Sequence, residues 1–185
     1  MHNYKSIVIS GLPASGKSTL VRALAKDYNM PTYSAGDTLK AMYARMHPEK
    51  EITFEEFWRK MSLEENRKFD EGLKAMFEDN SLVGDSRYTS YLDRTKCMLV
   101  FVSADMKTRS LRALLRSEYE GMTVESVSKV LRMREEDELK TGIGLFGIDY
   151  RDPGQYHITM NSGMLSIRQE VDTIKAAFES KTIHL

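Results

Sequence analysis

Residues 6 to 19 read Ser6-Ile-Val-Ile-Ser-Gly-Leu-Pro-Ala-Ser-Gly-Lys-Ser-Thr19, and the rest of the chain is organised around this stretch. Its first part, Ile7 to Ile9, is a β-branched run that predicts a short strand. Its second part, Gly11 to Ser18, has the pattern G-x-x-x-x-G-K-S, and a helical pattern begins after Lys17. The glycines let the backbone curl so that several N–H groups point into one concavity. A strand, a glycine-rich turn and a helix in this order are the context of a phosphate-binding P-loop.

The P-loop pattern assigns chemistry to individual residues. The positive end of the following helix and its unpaired N–H groups attract phosphates. Lys17 is expected to bridge the β- and γ-phosphates of a nucleoside triphosphate, and Ser18 is expected to offer its hydroxyl to Mg²⁺. The expected cofactors are therefore ATP and Mg²⁺, although a chance match on an ordinary strand-turn-helix is the alternative. The cofactor contacts are expected at Gly11, Ala14, Ser15, Gly16, Lys17, Ser18 and Thr19.

Length and composition limit the remaining possibilities. A chain of 185 residues, 41% of them hydrophobic, suits one α/β domain with a small inserted lid. Its 27 basic and 27 acidic residues balance, which disfavours a nucleic-acid or membrane partner. No apolar stretch approaches the ~20 residues that span a bilayer, and the N-terminus lacks the apolar segment of a signal peptide. Cys97, the single cysteine, lies in an apolar run, so we expect its thiol to be buried. The composition favours a cytoplasmic protein, and a monomer is the favoured oligomeric state.

Apolar periodicity predicts strands that alternate with helices along the whole chain. The predicted strands cover approximately residues 5–10, 32–34, 81–85, 96–102 and 156–160. The predicted helices cover approximately residues 17–28, 37–47, 54–61, 63–79, 105–118 and 123–140, followed by a last helix that Ser162 caps. Residues 141–154 contain four glycines and are predicted to form a long loop. This alternation favours an α/β protein with a three-layer α/β/α P-loop fold, a five-stranded parallel sheet and a helical lid.

Three polar clusters are expected to meet at one edge of this sheet, because ligands bind beyond the carboxyl ends of parallel strands. They are the P-loop, residues 34–37 and residues 85–87. Asp85 ends an apolar strand, where its carboxylate can hold the water shell of Mg²⁺ opposite Ser18; a turn or cap aspartate is the alternative. Arg87 offers a two-pronged guanidinium that suits an acceptor phosphate; a surface arginine is the alternative.

Arginines on two later helices predict the lid. Arg109, Arg112 and Arg116 follow the i, i+3, i+7 spacing of one helix stripe, and Arg132 and Arg134 belong to the next helix. Closing such a lid would bring positive charge onto a transferring phosphoryl group. Solvated helix faces are the alternative, because several glutamates neighbour these arginines.

The order of these motifs resembles that of the nucleoside monophosphate kinases, and most closely that of the small archaeal-type cytidylate kinases. The matching pieces are residues 11–19, 34–37, 55–57, 66–70, 84–87, 109–112, 134–136, 146–149 and 156–162. The resemblance covers nearly the whole chain and implies a single P-loop kinase domain over residues 1–185. It also implies acceptor-binding helices over approximately residues 36–80 and a lid over approximately residues 117–152.

The resemblance further implies transfer of a phosphoryl group from ATP, with Mg²⁺, to CMP or dCMP. It implies catalytic roles for Lys17, Arg87, Arg116 and Arg134, metal contacts at Ser18 and Asp85, and substrate contacts at Ser34, Gly36, Asp37, Lys40 and Arg87. The sequence departs from the family at two places. Lys40 stands where the family usually has an arginine, so the bidentate fork is lost. Leu139 and Thr141 stand where the family lid carries more arginines.

Two other functions stay open on the sequence alone. One is a P-loop kinase for a hydroxyl on a small molecule or a nucleic-acid end, with Asp37 as the base. The other is a kinase-derived regulatory module that binds a nucleotide with weak or no turnover. In that case Leu139, Thr141 and the apolar segment after them would contact a partner.

Overall fold

The computed structural model describes residues 4–180, which form five strands and seven α-helices. The strands are β1 (Ser6–Gly11), β2 (Thr32–Ser34), β3 (Val83–Asp85), β4 (Cys97–Ser103) and β5 (Ile158–Asn161). The helices are α1 (Lys17–Tyr28), α2 (Ala35–Met46), α3 (Phe54–Lys60), α4 (Leu63–Asp79), α5 (Met106–Leu114), α6 (Val124–Phe146) and α7 (Ile167–Glu179). Short 3₁₀ turns lie at Ser117–Tyr119 and Pro153–Gln155. Among the described residues, no helix combines the length and the apolar composition needed to cross a membrane.

The sheet has the strand order β2-β3-β1-β4-β5, and every neighbouring pair is parallel. Strand β1 is central, with Ile9 opposite both Asp85 on β3 and Val100 on β4. Because all strands point the same way, their carboxyl ends lie along one edge. The predicted five-stranded parallel sheet and its α/β/α layering are confirmed.

Alternating side chains of β1 explain the layers. Ile7 and Ile9 point to one face and Val8 to the other, as the period of a strand requires, and all three are fully buried. On the first face they pack in a cluster with Leu20, Leu24, Val171 and Ile174 of α1 and α7. On the second face Val8 shares a cluster with Leu73 and Phe77 of α4. The predicted buried position of Cys97 is also confirmed, in this second cluster.

Helix α6 is longer than predicted, so the predicted loop over residues 141–154 is wrong for residues 141–146, while residues 147–154 do lie outside the α-helices and strands. The helix continues to Phe146 and ends at Gly147, which has φ of 72°. A Cβ on Gly142 would lie 2.9 Å from the ring of Tyr88, so this glycine lets the helix pass close to a buried tyrosine. Leu145 and Phe146 then pack against the cluster around Val8. Close packing, and not flexibility, accounts for a glycine at position 142.

Two helix starts also differ from the prediction. Helix α2 begins at Ala35, because the Ser34 side chain accepts a hydrogen bond from the backbone N–H of Asp37 and acts as the cap. Helix α7 is capped by Ser166 and not by Ser162. The hydroxyl of Ser162 instead donates to the backbone carbonyl of Ser15, a residue of the P-loop.

We expect Gly84→Ala to destabilise the fold strongly. A Cβ at this position of β3 would lie 2.5 Å from the carbonyl oxygen of Tyr33 and 2.6 Å from the ring of Phe77. Since a backbone atom is one of the two obstacles, the sheet itself must shift, at a cost of about 3 kcal/mol or more. Urea unfolding measures the loss. Gly72→Ala is the matched control, because nothing lies within 4 Å of its Cβ and alanine favours a helix interior by ~1 kcal/mol.

Candidate active site

Residues that the sequence predicts to bind cofactor, metal or substrate line one cavity of about 870 Å³ at the carboxyl edge of the sheet. These lining residues are Ala14, Ser15, Gly16, Lys17, Ser18 and Thr19 of the P-loop, Ser34, Gly36, Asp37 and Lys40 around α2, Asp85 at the end of β3 and Arg87 after it, and Arg116 and Arg134. Gly11 ends β1 beside the cavity without lining it. The structure thus brings the predicted residues together, while their binding roles stay predictions.

Side chains from later in the sequence hold the carbonyl groups of the P-loop. The buried guanidinium of Arg109 donates to the carbonyl of Pro13 at 3.4 Å. Arg112 donates to the carbonyl of Ser15 at 3.0 Å, and the Ser162 hydroxyl donates to the same carbonyl at 2.7 Å. Arg109 and Arg112 therefore brace the P-loop, and Arg112 also lines the cavity.

In a trans peptide bond the C=O and the N–H point in opposite directions. Because the carbonyls of Pro13 and Ser15 point toward these bracing side chains, the N–H groups of the same two peptides point away from them. The N–H groups of Ala14 and Gly16 consequently face the concavity of the turn. Both residues have positive φ, 59° and 102°, as in backbone nests that bind anions. Within residues 4–180, α1 is also the one α-helix without a side-chain cap. The N–H groups of Lys17 and Ser18, at its first two positions, are thus left to an external acceptor.

Lys17 and Ser15 fit a bound phosphate chain. The ammonium group of Lys17 donates to the carbonyls of Gly11 and Leu12, each at 2.9 Å. Desolvation, and next the positive charge of Arg87, hold the pKa of Lys17 well below its ordinary value. Anionic phosphates would reverse this effect. The buried hydroxyl of Ser15 has no hydrogen-bond partner among residues 4–180, as expected of a donor that is satisfied only by a ligand.

Ser18 and Asp85 offer a hydroxyl and a carboxylate that fit Mg²⁺. Burial raises the pKa of Asp85, against the opposing charge of Lys17. A divalent cation would favour the ionised carboxylate. No group of three or more His, Cys, Asp or Glu side chains among the described residues could hold a metal by itself. Mg²⁺ ordinarily takes one or two protein oxygens and fills its other positions with phosphate and water.

Glu138 is the central site residue that sequence reasoning missed. Its carboxylate pairs with Arg87 at 2.7 Å and with Arg134 at 3.0 Å, and its side chain is only 5% exposed. Arg87 also donates to the carbonyl of Gly11 at 2.9 Å. The i, i+4 spacing of Arg134 and Glu138 is visible in the sequence, but their pairing with Arg87 is not. Glu138 thus holds two candidate phosphate-binding arginines together beside the P-loop.

The two remaining candidate cations lie toward the rim of the cavity. Lys40 is exposed, and Arg116 is about half exposed, with its guanidinium 3.7 Å from the carboxylate of Glu118. Exposed pairs of this kind contribute little to stability. Both side chains are therefore free enough to move toward an anion.

Asp70 on α4 is a second residue whose importance the sequence did not reveal. Its side chain lines the cavity although the residue is only 7% exposed. The carboxyl has no hydrogen bond or ion pair with another residue in the described part of the chain. Burial without such a partner raises the pKa of Asp70 to about 7, compared with 3.8 for a free aspartate.

We expect Asp70→Asn to stabilise the protein in a pH-dependent way. The folded state binds the Asp70 proton more tightly than the unfolded state, so the stability of the wild type is highest below pH ~4 and falls as the pH rises to ~7. The variant loses this dependence, and its advantage grows over that window toward an upper limit of about 4 kcal/mol. Urea unfolding at pH 5 and pH 8 measures the difference. Asp79→Asn, at an exposed position of the same helix, should show no comparable change.

Comparisons with known proteins agree with this geometry. A protein-family model described as "AAA domain" matches residues 10–130. A cytidylate kinase of Archaeoglobus fulgidus is 29% identical over 180 residues, covering 96% of each chain. A cytidylate kinase of Pyrococcus horikoshii is 26% identical, covering 94% of this chain and 88% of its own.

Solved structures resemble the fold at lower identity. The crystal structure of an uncharacterized protein from Eubacterium ventriosum has a TM-score of 0.67 at 21% identity, covering 95% of this chain and 99% of its own. A shikimate kinase from Acinetobacter baumannii, in complex with shikimate, has a TM-score of 0.60 at 16% identity and covers 99% of this chain and 97% of its own. At such identities the likeness concerns the fold alone. With the family match over residues 10–130 and the P-loop geometry, the chain belongs to the P-loop kinase family that the AAA domain model describes.

Proposed function

We propose that this protein is a nucleoside monophosphate kinase that transfers a phosphoryl group from Mg²⁺-ATP to CMP or dCMP. The observation that carries the proposal is the position of Arg87. Arg87 lines the same cavity as the P-loop and the acceptor segment around α2. Its guanidinium donates a hydrogen bond to the carbonyl of Gly11, at the base of the P-loop. Two phosphate groups can thus be bound side by side. The cytidylate kinase names of the relatives support the choice of acceptor. We propose that the protein acts as a monomer in the cytoplasm.

The donor side of the cavity would bind the triphosphate. Bound Mg²⁺-ATP supplies the phosphoryl group and neutralises part of its charge. The N–H groups of Ala14 and Gly16 and the start of α1 would hold phosphate oxygens. Lys17 would exchange the carbonyls of Gly11 and Leu12 for phosphate, and Ser18 and Asp85 would hold the metal.

The acceptor side would bind and orient the monophosphate. The guanidinium of Arg87 can grip its phosphate with two parallel hydrogen bonds, and Arg134 adds a second positive charge. Ser34, Asp37 and Lys40 face the same space from the start of α2. The attacking phosphate oxygen is already anionic, so a general base is not required. The chain's contribution to the reaction is therefore positioning and charge stabilisation.

An acceptor screen tests the proposed function. ADP release from Mg²⁺-ATP would be measured with CMP, dCMP, UMP and AMP, and with cytidine and shikimate as hydroxyl acceptors. We expect turnover that a cytidine monophosphate stimulates most. Turnover with a hydroxyl acceptor alone, lost in Asp37→Asn, would establish the hydroxyl kinase instead. Tight ATP binding without turnover for any acceptor would establish the regulatory module.

Arg87→Lys is expected to raise the acceptor KM about tenfold to a hundredfold, with a smaller change in kcat. Lysine keeps the positive charge but loses the two-pronged grip on a ground-state phosphate. Initial rates at varied CMP and saturating ATP give the two constants. The KM for ATP should stay within about twofold of the wild-type value. Arg168→Lys, at an exposed position on α7, is the control, and an equal effect of the two variants would contradict the assignment of Arg87.

A further inference from the structure

The placement of Asp70 puts its carboxyl beyond the end of β3. Asp70, Leu73 and Phe77 follow the i, i+3, i+7 spacing of one helix face, and all three are buried. The ring of Phe77 packs against Gly84 of β3. Helix α4 leads into β3 through only three residues, so it ends near the amino edge of the sheet and its earlier turns lie toward the carboxyl edge. Asp70 precedes Phe77 by seven residues, which is about 10 Å along the helix, and therefore reaches the edge where the cavity opens.

The neighbours of Asp70 connect it to the acceptor side. Burial, and next the charge of Asp70, raise the pKa of the Tyr91 phenol, so the two groups are close. The hydroxyl of Tyr91 lies 3.5 Å from that of Ser86. Ser86 stands between the candidate metal ligand Asp85 and the candidate phosphate grip Arg87. Asp70 thus lies deep in the part of the cavity that would hold an acceptor.

The carboxyl of Asp70 lacks the partners that other buried acids have. Glu138 has two arginines, and Glu78 accepts a hydrogen bond from the backbone N–H of Asp93 at 2.8 Å. The carboxyl of Glu170, on the donor side of the cavity, has no hydrogen bond or ion pair among the described residues, but it is near the positive charge of Arg112. A buried carboxyl without a hydrogen bond lowers the stability of the fold. Such a group is therefore expected mainly where a bound ligand supplies the missing hydrogen bond.

We propose that Asp70 selects the acceptor base by accepting a hydrogen bond from its exocyclic amino group, as position 4 of cytosine offers. This inference rests on the proposed function. Uracil has an acceptor oxygen at the same position, which the ionised form of the Asp70 carboxyl repels. The neighbouring lining residues are Trp58, Phe69 and Leu73, whose apolar surfaces suit a flat base better than a hydroxylated sugar. Asp70 is therefore a specificity residue, while the phosphate is held elsewhere, by Arg87.

The test compares Asp70→Asn and Asp70→Leu with wild type and with Asp79→Asn. For each, kcat/KM is measured with CMP, dCMP and UMP, and equilibrium binding of CMP and UMP is measured by calorimetry. An asparagine can turn its amide toward uracil, so we expect the CMP-to-UMP ratio of kcat/KM to fall at least tenfold in Asp70→Asn. Asp70→Leu should bind CMP at least tenfold more weakly. The CMP-to-dCMP ratio and the KM for ATP should not change.

Thermal unfolding separates this role from a structural one. Both Asp70 variants should keep or raise Tm, because each removes a buried carboxyl without a partner. An unchanged CMP-to-UMP ratio in an active Asp70→Asn variant would overturn the inference, and a changed CMP-to-dCMP ratio would assign Asp70 to the ribose. If the wild type transfers no phosphoryl group but binds CMP better than UMP, and Asp70→Asn removes that preference, the proposed function fails and the inference survives. If the wild type binds neither nucleotide, both fail.

Discussion

Lys17→Ala is expected to lower kcat about 10³-fold or more while the fold is kept. The ammonium group of Lys17 stands at the mouth of the P-loop, where negative charge would develop on the transferring group. Alanine removes that charge and leaves the backbone nest unchanged. Steady-state rates at saturating ATP and CMP measure the loss of kcat.

The stability of this variant should change little. The substitution removes two hydrogen bonds to backbone carbonyls, but it also removes a desolvated charge, and the two effects offset each other. Lys26→Ala, at an exposed position of the same helix, is the matched control and should keep wild-type activity. A Lys17→Ala variant with kcat within tenfold of wild type would show that the P-loop lysine is not part of the reaction.

Glu138→Ala is expected to lower the free energy of unfolding by about 3 kcal/mol. The substitution leaves Arg87 and Arg134 beside each other without their shared counter-charge, and the loss of one member of a buried ion pair is costly. Glu138→Gln should cost less, because it keeps the shape and one acceptor oxygen. Urea unfolding of both variants measures the difference, and Glu136→Ala, at an exposed position of the same helix, is the control.

Inorganic phosphate should partly restore the stability of Glu138→Ala. A phosphate between the two arginines would supply the missing negative charge, so the midpoint of unfolding should rise more with phosphate in the variant than in the wild type. Sulfate at equal ionic strength separates general screening from a preference for phosphate. An equal response of both proteins to phosphate would mean that the arginine pair is not an anion site.

Local patterns predicted the fold well because the decisive signals lie within a few residues of each other. The run from Ile7 to Ile9, followed by two glycines and Lys17, specifies a strand, a turn and a helix from adjacent positions. The apolar run of β4 likewise marks a buried parallel strand without reference to the rest of the chain. Such signals place elements and bring polar strand ends to one edge of the sheet.

The candidate site was less predictable because its contacts join residues that are distant in sequence. Glu138 pairs with Arg87, 51 residues earlier, and no local pattern separates it from the exposed glutamates beside it. Asp70 was visible only as part of a weak motif, since burial without a partner is a property of the folded chain. Gly142 was expected to lie in a long loop, but it lies in helix α6. Its lack of a side chain lets the helix pack closely against Tyr88, and the sequence does not reveal that contact.

The bracing of the P-loop from the far end of the chain has a consequence for the order of protein synthesis. The P-loop is complete once Ser18 has been made, but the carbonyl of Ser15 is held by Arg112 and Ser162. At the usual speed of translation, about 5–20 residues per second, Ser162 is added about 7–29 s after Ser18. A nascent chain that ends before β5 therefore carries the whole motif and both bracing arginines but lacks the contact from Ser162. The P-loop is among the first segments to be translated and among the last to take its final shape.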